Sequence, residues 1–385
     1  MKRFAFVVHP LSVAHIHQHR GWGWTRLLPD RLVESMAARI SPRYLGRLTG
    51  AVSAATGQRI EGLIYTLGAT PRQMLERRAE FTDEKIARAA RQAAKQGARI
   101  LGLGAYTRVV GDGGMSVARH SPIPVTSGRS LTVVATLESV KQALRRTGHS
   151  DLSKVRAMVV GATGSVGAII SRLLAQTLGE VDLISLEPDR LKALATTIRG
   201  ETENARLTVG YSPEATLADC DLVILAAPAS AGQLIDLTRT RPGAVICDLG
   251  LPCRFTAEQA EARPDLLLVE SADVVLPGSV ELDYDIGLPP GVVYACLAEP
   301  ALLAMQGLIE RNAPSTDFWI DRVRTLKRLF VRHGLAVAPL RSFGKIVTAA
   351  ALAEKLAHTL RLRERAARLD WSRANAAGSF ERLSA

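Results

Sequence analysis

The chain has 385 residues, enough for two or three domains that each bury a hydrophobic core. Hydrophobic residues make up 47% and charged residues 22% of it, ordinary proportions for a globular protein. No apolar run reaches the ~18 residues of a membrane helix, and four cysteines without CxxC spacing argue against a zinc site and a disulfide framework. We therefore expect a cytoplasmic protein with reduced thiols.

A net charge of +12 favours an acidic partner, such as an acidic carrier protein or an anionic membrane surface. Basic residues are not interleaved with aromatic ones in the way that nucleic-acid-binding segments require. We therefore expect no nucleic-acid partner.

The first 150 residues predict an N-terminal α/β substrate domain at 1–130 and a linking helix at 131–150. In the domain, apolar runs predict strands and amphipathic stretches predict helices, with strands at 4–8, 58–67 and from 100 and helices at 71–79 and 83–96. Residues 131–148 are amphipathic and end in glycine, which is typical of a helix.

Residues 151–290 alternate between apolar strands and helices and predict a Rossmann dinucleotide-binding domain. The six predicted strands are 155–160, 181–186, 206–210, 221–226, 244–249 and 266–270. Such alternation indicates an α/β fold with a Rossmann-like doubly wound parallel sheet. Residues 291–385 predict C-terminal helices, at 294–310 and 315–333, followed by a basic amphipathic helix and a polar tail.

Three glycines spaced three apart, Gly161, Gly164 and Gly167, follow the first of these strands and open a helix. Gly161 permits the tight turn, Gly164 lets the backbone approach a pyrophosphate, and Gly167 lets the helix pack on the sheet. The phosphates are expected at the helix N-terminus, where free N–H groups favour an anion. The residues between the glycines share this predicted cofactor contact: Ala162, Thr163, Ser165 and Val166.

Glu187 ends the second strand, where a carboxylate accepts hydrogen bonds from the ribose hydroxyls and repels a 2′-phosphate. The sequence therefore favours NADH. Arg190 is close enough along the chain to reach a 2′-phosphate, which keeps NADPH as the alternative. The loops after later strands should also face the cofactor and contribute four residues: Ala227, Pro228, Asp248 and Gly250.

The catalytic chemistry is open to two interpretations at the level of residues alone. No tyrosine has a lysine four residues away, which argues against short-chain alcohol dehydrogenase chemistry. Cys296 stands at the start of a predicted helix, where a thiolate is stabilised and can attack a thioester. A buried packing cysteine is an equally good interpretation.

Several short motifs from Phe4 to Leu340 resemble those of the cyanobacterial-type long-chain acyl-[acyl-carrier-protein] reductases, which form aldehydes. They include Thr126-Ser-Gly-Arg-Ser-Leu-Thr132 and the glycine motif, which many families share. The combination of the glycine motif with Tyr294-Ala-Cys-Leu-Ala-Glu299 and Val331-Arg-His-Gly334, in this order, is much more specific. The resemblance implies that Cys296 carries the acyl group of a fatty acyl thioester of acyl carrier protein or coenzyme A. An acidic carrier protein would match the net charge.

The resemblance also implies roles for residues outside the glycine motif. His9 matches a family histidine, and a core or turn histidine is the alternative. Glu281 is a candidate for orienting the nicotinamide ribose or assisting protonation, and a solvated acidic loop is the alternative. Glu299 is expected either to orient the thiol or to cap its helix. The remaining candidates are hydroxyls that could bind the acyl carbonyl oxygen or the nicotinamide amide: Tyr106, Thr107, Ser130 and Thr132.

Two departures from the family bear on the prediction. Glu187 stands where the family has a basic residue that suits the 2′-phosphate of NADPH. Cys253 stands where the family has a lysine, so this chain either does without that lysine or uses Arg254, and Cys253 is a rival nucleophile.

No metal site is expected at the alternating His15, His17 and His19. They do not share one helical face and have no acidic ligand nearby.

The sequence thus predicts an NAD(P)H-dependent fatty acyl thioester reductase. Two alternatives remain: a dehydrogenase of the shikimate or amino-acid type, and a non-catalytic nucleotide sensor or scaffold. The basic helix beyond residue 341 is expected to pack on its own chain, with a weak membrane-surface contact or a second subunit as alternatives. The sequence leaves the oligomeric state open.

Overall fold

The computed structural model describes residues 2–10, 12–19, 21–104, 115–203, 205–228, 231–250, 253–270, 273–308 and 316–381. The chain divides into two compact units. The first unit comprises Met1–Ala135 and Ala272–Ala338, and the second comprises Thr136–Ser271 and Pro339–Ala385.

The strands are numbered in chain order. They are β1 (Lys2–Val8), β2 (Arg43–Val52), β3 (Arg59–Thr66), β4 (Ala98–Leu103), β5 (Val125–Thr126), β6 (Arg156–Val160), β7 (Glu180–Ile184), β8 (Arg206–Gly210), β9 (Leu222–Leu225), β10 (Val245–Asp248), β11 (Leu267–Val269), β12 (Asp273–Val275), β13 (Gly278–Leu282), β14 (Val292–Tyr294), β15 (Ala336–Val337), β16 (Arg341–Ser342) and β17 (Lys345–Ile346).

The α-helices are numbered in the same way. They are α1 (Val13–Gln18), α2 (Asp30–Arg39), α3 (Pro71–Glu76), α4 (Ala79–Lys95), α5 (Met115–His120), α6 (Arg129–Arg146), α7 (Gly167–Ala175), α8 (Pro188–Glu201), α9 (Ala257–Glu261), α10 (Ala295–Gln306), α11 (Thr316–Arg332) and α12 (Ala349–Glu381).

The first unit is built on a six-stranded sheet in the order β13-β2-β3-β1-β4-β5. Strands β3, β1, β4 and β5 are parallel, whereas β2 and β13 are antiparallel to their neighbours. Side chains alternate between the two faces of each strand. On one face, the buried Leu101 and Leu103 belong to the apolar cluster that includes α4. On the other face, a Cβ at Gly102 would lie 2.6 Å from Pro300 Cγ, so glycine permits the close approach of α10.

The second unit contains a fully parallel sheet in the order β8-β7-β6-β9-β10-β11. With β6 as the first strand this is the Rossmann order 3-2-1-4-5-6, so the predicted α/β fold with a doubly wound parallel sheet is confirmed. For each of the six predicted strands, both ends lie within two residues of the corresponding ends of an observed strand. The success has a physical reason, since parallel strands buried on both faces form continuous apolar runs.

The observed division of the chain differs from the predicted boundary at residue 290. Strand β13 pairs with β2, and β12 forms a small antiparallel sheet with β14 and β15, so residues 272–338 complete the first unit. The predicted C-terminal helical segment is therefore split between the units.

The long helix α12 packs against its own unit over its first three turns. Lys355 Nζ donates hydrogen bonds to the carbonyls of Pro264 (3.3 Å) and Leu266 (2.9 Å), and Thr359 contacts Gly243. Among the described residues, no helix is long and apolar enough to cross a membrane.

Candidate active site

Helix α10 crosses the sheet of the first unit in the direction opposite to the parallel strands. It begins beside Gly128, just after β5, and Pro300 lies over Gly102 of β4. It ends at Gly307, where an added Cβ would lie 3.0 Å from the Nζ of Lys2 at the start of β1. The N-terminus of α10 therefore lies at the carboxyl edge of the parallel strands.

Cys296 is the second residue of α10 and is half-buried. A Cβ built on Gly128 would lie 2.5 Å from both Cα and Cβ of Cys296, and Gly128 has φ +69°. Only glycine fits this position, because both the contact and the backbone conformation exclude a side chain. Helix α6 starts at the next residue, so two helix N-termini meet at Cys296. Their dipoles favour a negative charge there.

Glu299, one turn after Cys296, is completely buried. Its carboxylate accepts hydrogen bonds from Leu131 N (2.8 Å), the Thr126 hydroxyl and the Arg322 guanidinium (3.3 Å). Glu299 therefore caps α6 rather than its own helix. It fixes the first turn of α10 against the segment after β5, which makes it a positioning residue.

Three hydroxyl-bearing residues lie in or next to the segment 127–130, which Glu299 holds at both ends. Thr132 donates its hydroxyl to the Gly128 carbonyl (2.8 Å). Ser127 and Ser130 are 2% and 0% exposed, and neither Oγ has a hydrogen-bond partner within the described ranges. Tyr106 and Thr107, the other predicted hydroxyls, lie outside the described residues.

His9 lies just beyond β1, at the same carboxyl edge of the sheet as Cys296. Burial lowers the pKa of His9 to about 4, with a smaller contribution from His15, and the hydrogen bond between its Nδ1 and the Pro10 carbonyl opposes this shift. The imidazole is therefore neutral at pH 7.

Glu281 is not brought to this edge. It lies exposed on β13, the strand at the opposite side of the sheet from β5. Five inter-strand spacings of ~4.8 Å separate the two edge strands by roughly 24 Å. Its placement matches the solvated alternative considered for it.

His333 of the Arg-His-Gly motif is fully buried and lies away from Cys296. Its ring is hydrogen-bonded to Ser53 Oγ (2.7 Å) and Gln306 Oε1 (2.8 Å), so it joins the turn between β2 and β3 to the end of α10. Burial lowers its pKa. The motif is structural here.

A cleft of about 290 Å³ lies beside the carboxyl ends of β1 and β3, a feature that no sequence motif indicated. Aromatic and aliphatic side chains dominate its lining, which includes Ile16, His19, Trp22, Tyr44, Leu45 and Tyr284. The rings of His19 and Tyr284 stack with centroids 6.0 Å apart. Pro10, the neighbour of His9, also lines the cleft.

The glycine motif of the second unit has the geometry that a dinucleotide requires. Gly161 has φ +83°, and a Cβ there would lie 2.7 Å from Ala227 N. A Cβ on Gly167, the first residue of α7, would lie 2.3 Å from Gly161 O, whereas the nearest atom to one on Gly164 is at 3.2 Å. The motif thus brings the N-terminus of α7 close to β6 and is least crowded at Gly164, in the middle of the loop, which fits a pyrophosphate. The other predicted contacts lie in the loops after β6 and β9: Ala162, Ser165, Val166 and Pro228.

Glu187 follows β7, as predicted, and forms a small polar cluster with the glycine loop. Its carboxylate accepts hydrogen bonds from the Thr163 hydroxyl and from Arg190 (2.7 Å), which also donates to the Thr163 carbonyl (3.0 Å). The hydrogen bond from Thr163, and then Arg190, lower the pKa of Glu187. Glu187, which was expected to favour NADH, and Arg190, which was expected to reach the 2′-phosphate of NADPH, thus form an ion pair.

Asp248 and Ala227 are joined by Arg254. The Arg254 guanidinium is 2% exposed and donates to the Asp248 carboxylate and the Ala227 carbonyl, while Asp248 also accepts from Gly250 N (2.8 Å). Arg254 is therefore a structural link between the loops after β9 and β10.

The other three cysteines are less suited to nucleophilic chemistry. Burial raises the pKa of Cys253 and of Cys220, and raises that of Cys247 to about 12. His17 is engaged with Thr25 (2.8 Å), and the described residues contain no group of three metal-ligating side chains.

Comparisons with known proteins identify the second unit most clearly. Residues 156–290 match the family described as semialdehyde dehydrogenase, NAD binding domain. The chain therefore contains an NAD-binding domain of the oxidoreductase type, and its cofactor is a nicotinamide dinucleotide.

Two curated proteins are similar to most of the chain. The aminotransferase PigE of Serratia sp. (strain ATCC 39006) is 28% identical over 299 residues, covering 76% of this chain but 34% of PigE. This chain thus spans about a third of the length of PigE. The long-chain acyl-[acyl-carrier-protein] reductase of Synechococcus elongatus is 24% identical over 315 residues, covering 76% of this chain and 86% of that protein.

Solved dehydrogenase structures are similar at a lower level. L-tryptophan dehydrogenase from Nostoc punctiforme has 10% identity and a TM-score of 0.39, covering 94% of this chain and 88% of its own. Quinate dehydrogenase from Corynebacterium glutamicum, in complex with NAD, has 11% identity and a TM-score of 0.39, covering 86% of this chain and 98% of its own.

Proposed function

We propose that the protein reduces a fatty acyl thioester to an aldehyde and carries the acyl group on Cys296. The observation that supports this most is the position of Cys296 where two helix N-termini meet, with Glu299 holding both helices together. This arrangement favours a thiolate, since the dipoles of both helices act on the sulfur. The resemblance to an acyl-[acyl-carrier-protein] reductase agrees with this role.

The first half of the reaction uses the first unit. The Cys296 thiolate attacks the thioester carbonyl carbon, a new C–S bond forms and an electron pair moves to the carbonyl oxygen. The oxygen then returns its electron pair, the bond to the original thiol breaks, and that thiol leaves with a proton from water. The cleft near His9 offers apolar surface on the same sheet edge for the acyl chain.

The second half requires a hydride, which the dihydronicotinamide cofactor supplies when bound to the second unit. The acyl carbon gains hydrogen, the C–S bond to Cys296 breaks, and an aldehyde leaves while the thiolate is restored. Gly161 and Gly167 hold the N-terminus of α7 close to β6, so that its N–H groups receive the pyrophosphate. We assign NADH as the preferred cofactor because a carboxylate at Glu187 would repel a 2′-phosphate and would accept hydrogen bonds from a free ribose diol.

The substrate is a thioester of coenzyme A or of an acidic acyl carrier protein. The net charge of +12 suits either, because both carriers are anionic.

The proposal is tested by intact-protein mass spectrometry after mixing with octanoyl- or palmitoyl-coenzyme A in the absence of nucleotide. We expect an acyl adduct on the wild-type protein and none on Cys296→Ala. Cys253→Ala is the matched control and should form the adduct normally. Added NADH should then remove the adduct and release the aldehyde.

Failure of both thioesters to form an adduct, with NADH binding intact, would contradict thioester chemistry. Turnover of a hydroxy acid or amino acid by the same protein would then favour the shikimate- or amino-acid-type dehydrogenase.

A further inference from the structure

The segment Ser127–Ser130 is held in place at both of its ends by one buried carboxylate. Thr126 precedes it and Leu131 follows it, and both donate hydrogen bonds to Glu299. Glu299 lies on the same helix as Cys296, so the segment and the thiol cannot move independently. Such preorganisation is what a site needs if it is to stabilise a charge that exists only briefly.

The segment also carries two buried hydroxyls that the fold does not use. Ser127 is 2% exposed and Ser130 is 0% exposed, and in the part of the chain that the structure describes neither Oγ has a hydrogen-bond partner. Burying a hydroxyl without a hydrogen-bond partner is unfavourable, so fully unpaired polar groups are rare in folded proteins. Their neighbour Gly128 is in contact with Cys296 itself.

A third feature is the helix that begins inside this segment. Helix α6 starts at Arg129 and runs for 18 residues, so its first N–H groups lie within the segment. These groups and the helix dipole favour negative charge at the same end where Cys296 sits.

We infer that Ser127 and Ser130 bind the carbonyl oxygen of the acyl group that Cys296 carries. This inference rests on the proposed function and extends it to the residues that stabilise the oxygen. When the thiolate attacks, the electron pair of the C=O bond moves to the oxygen, and the two O–H groups donate to the resulting oxyanion. The same donors act again in the second half of the reaction. Hydride addition to the acyl carbon then moves the electron pair of the restored C=O bond to the oxygen once more. No proton is transferred by either serine.

The test compares two reactions of the same thiol. Acylation by octanoyl-coenzyme A develops an oxyanion, whereas alkylation by iodoacetamide replaces iodide without one. We measure both rates on Cys296 by intact-protein mass spectrometry for Ser127→Ala, Ser130→Ala and the double variant. Thr82→Val is the matched control, because Thr82 on α4 is also buried in the first unit with an unpartnered hydroxyl in the described structure.

We expect the double variant to be acylated about 10²- to 10³-fold more slowly than wild type, the usual effect of removing an oxyanion donor, while its alkylation rate stays within twofold. Ser130→Thr, which keeps the hydroxyl, should retain more of the acylation rate than Ser130→Ala. Thr82→Val should be normal in both reactions.

Two results would overturn the inference while leaving the proposed function standing. One is wild-type acylation in the double variant, and the other is an equal loss of acylation and alkylation, which indicates a structural role. If the wild-type protein is alkylated but never acylated, the proposed function itself fails and this inference falls with it.

Discussion

The two units place a helix N-terminus at the carboxyl edge of a parallel sheet and use it differently. In the second unit, the glycine motif brings α7 close to β6, and Gly164, in the middle of the loop, is the least crowded of its three glycines. In the first unit, α6 begins in a crowded place, where Glu299 accepts from Leu131 N and Cys296 touches Gly128. Both positions have the same electrostatic preference for negative charge.

The difference shows how one backbone feature serves two purposes. An open N-terminus can receive a diffusible anion such as a pyrophosphate. A closed N-terminus, such as that of α6, is occupied by a carboxylate of the protein itself, which fixes the geometry. Its dipole also favours the thiolate form of a neighbouring thiol. The following predictions break each arrangement separately.

The largest effect is expected from Glu299→Gln. This change removes the carboxylate from a buried ion pair with Arg322, whose guanidinium is only 10% exposed. Breaking a buried pair on one side costs about 3–5 kcal/mol, so the free energy of unfolding should fall by about 3 kcal/mol. Urea unfolding measures this change. Glu281→Gln, on the exposed edge strand, is the control and should stay within about 0.5 kcal/mol. A loss below about 1 kcal/mol for Glu299→Gln would show that the carboxylate does not hold the two helices.

A pair of glycine substitutions should separate the two N-termini. Gly161→Ala places a Cβ 2.7 Å from Ala227 N, and Gly128→Ala places one 2.5 Å from Cys296. At about 1–3 kcal/mol for overpacking, Gly161→Ala should weaken NADH binding roughly 10- to 100-fold, and Gly128→Ala should slow Cys296 acylation by a similar factor.

Each variant should keep the function of the other unit, and nucleotide titration and intact-protein mass spectrometry on the same samples check this. Gly57→Ala is the control, because Gly57 also has positive φ (+64°) but no atom within 4 Å of an added Cβ. Equal losses of both functions in either variant would argue for general destabilisation.

A smaller effect is expected for Glu187→Gln. It removes the negative charge that would repel a 2′-phosphate, and it releases Arg190 from its ion pair. The ratio of NADPH to NADH affinity should rise about tenfold, which corresponds to about 1.4 kcal/mol. Fluorescence titration with each nucleotide measures the ratio. Asp189→Asn makes the same charge change two residues away on an exposed side chain and should leave the ratio unchanged. Tighter binding of NADPH than of NADH by the wild-type protein would contradict the proposed preference.

The predictability of the fold from sequence also differs between the units. In the second unit, β6, β9, β10 and β11 are buried and predominantly apolar, and the glycine motif marks the turn after β6. In the first unit, β2 gave no such signal, because it is half exposed and its pairing with β3 is interrupted by irregularities after Tyr44 and Leu48. Irregular pairing destroys the alternation by which strands are recognised.

The site residues show the same limit. Cys296 and the glycines could be proposed from the sequence because each lies in a short motif with a local meaning. The partners of Glu299 could not be predicted, since Leu131 is 168 positions away in the chain. Arg254 was considered as one possible replacement for a lysine, and only the fold shows that its guanidinium donates to Asp248 and to the Ala227 carbonyl.

That separation along the chain affects how the protein is made. Strands β1, β3, β4 and β5 are complete by residue 126, but α10, which covers one face of them, ends only at residue 306. At 5–20 residues per second, a ribosome needs roughly 9 to 36 s to synthesise the intervening stretch. During that interval the face bearing Phe6 and Gly102 lacks α10, while residues 136–271 of the second unit are synthesised. The nascent chain therefore exposes apolar surface that favours aggregation after its parallel strands have been synthesised and before α10 has been added.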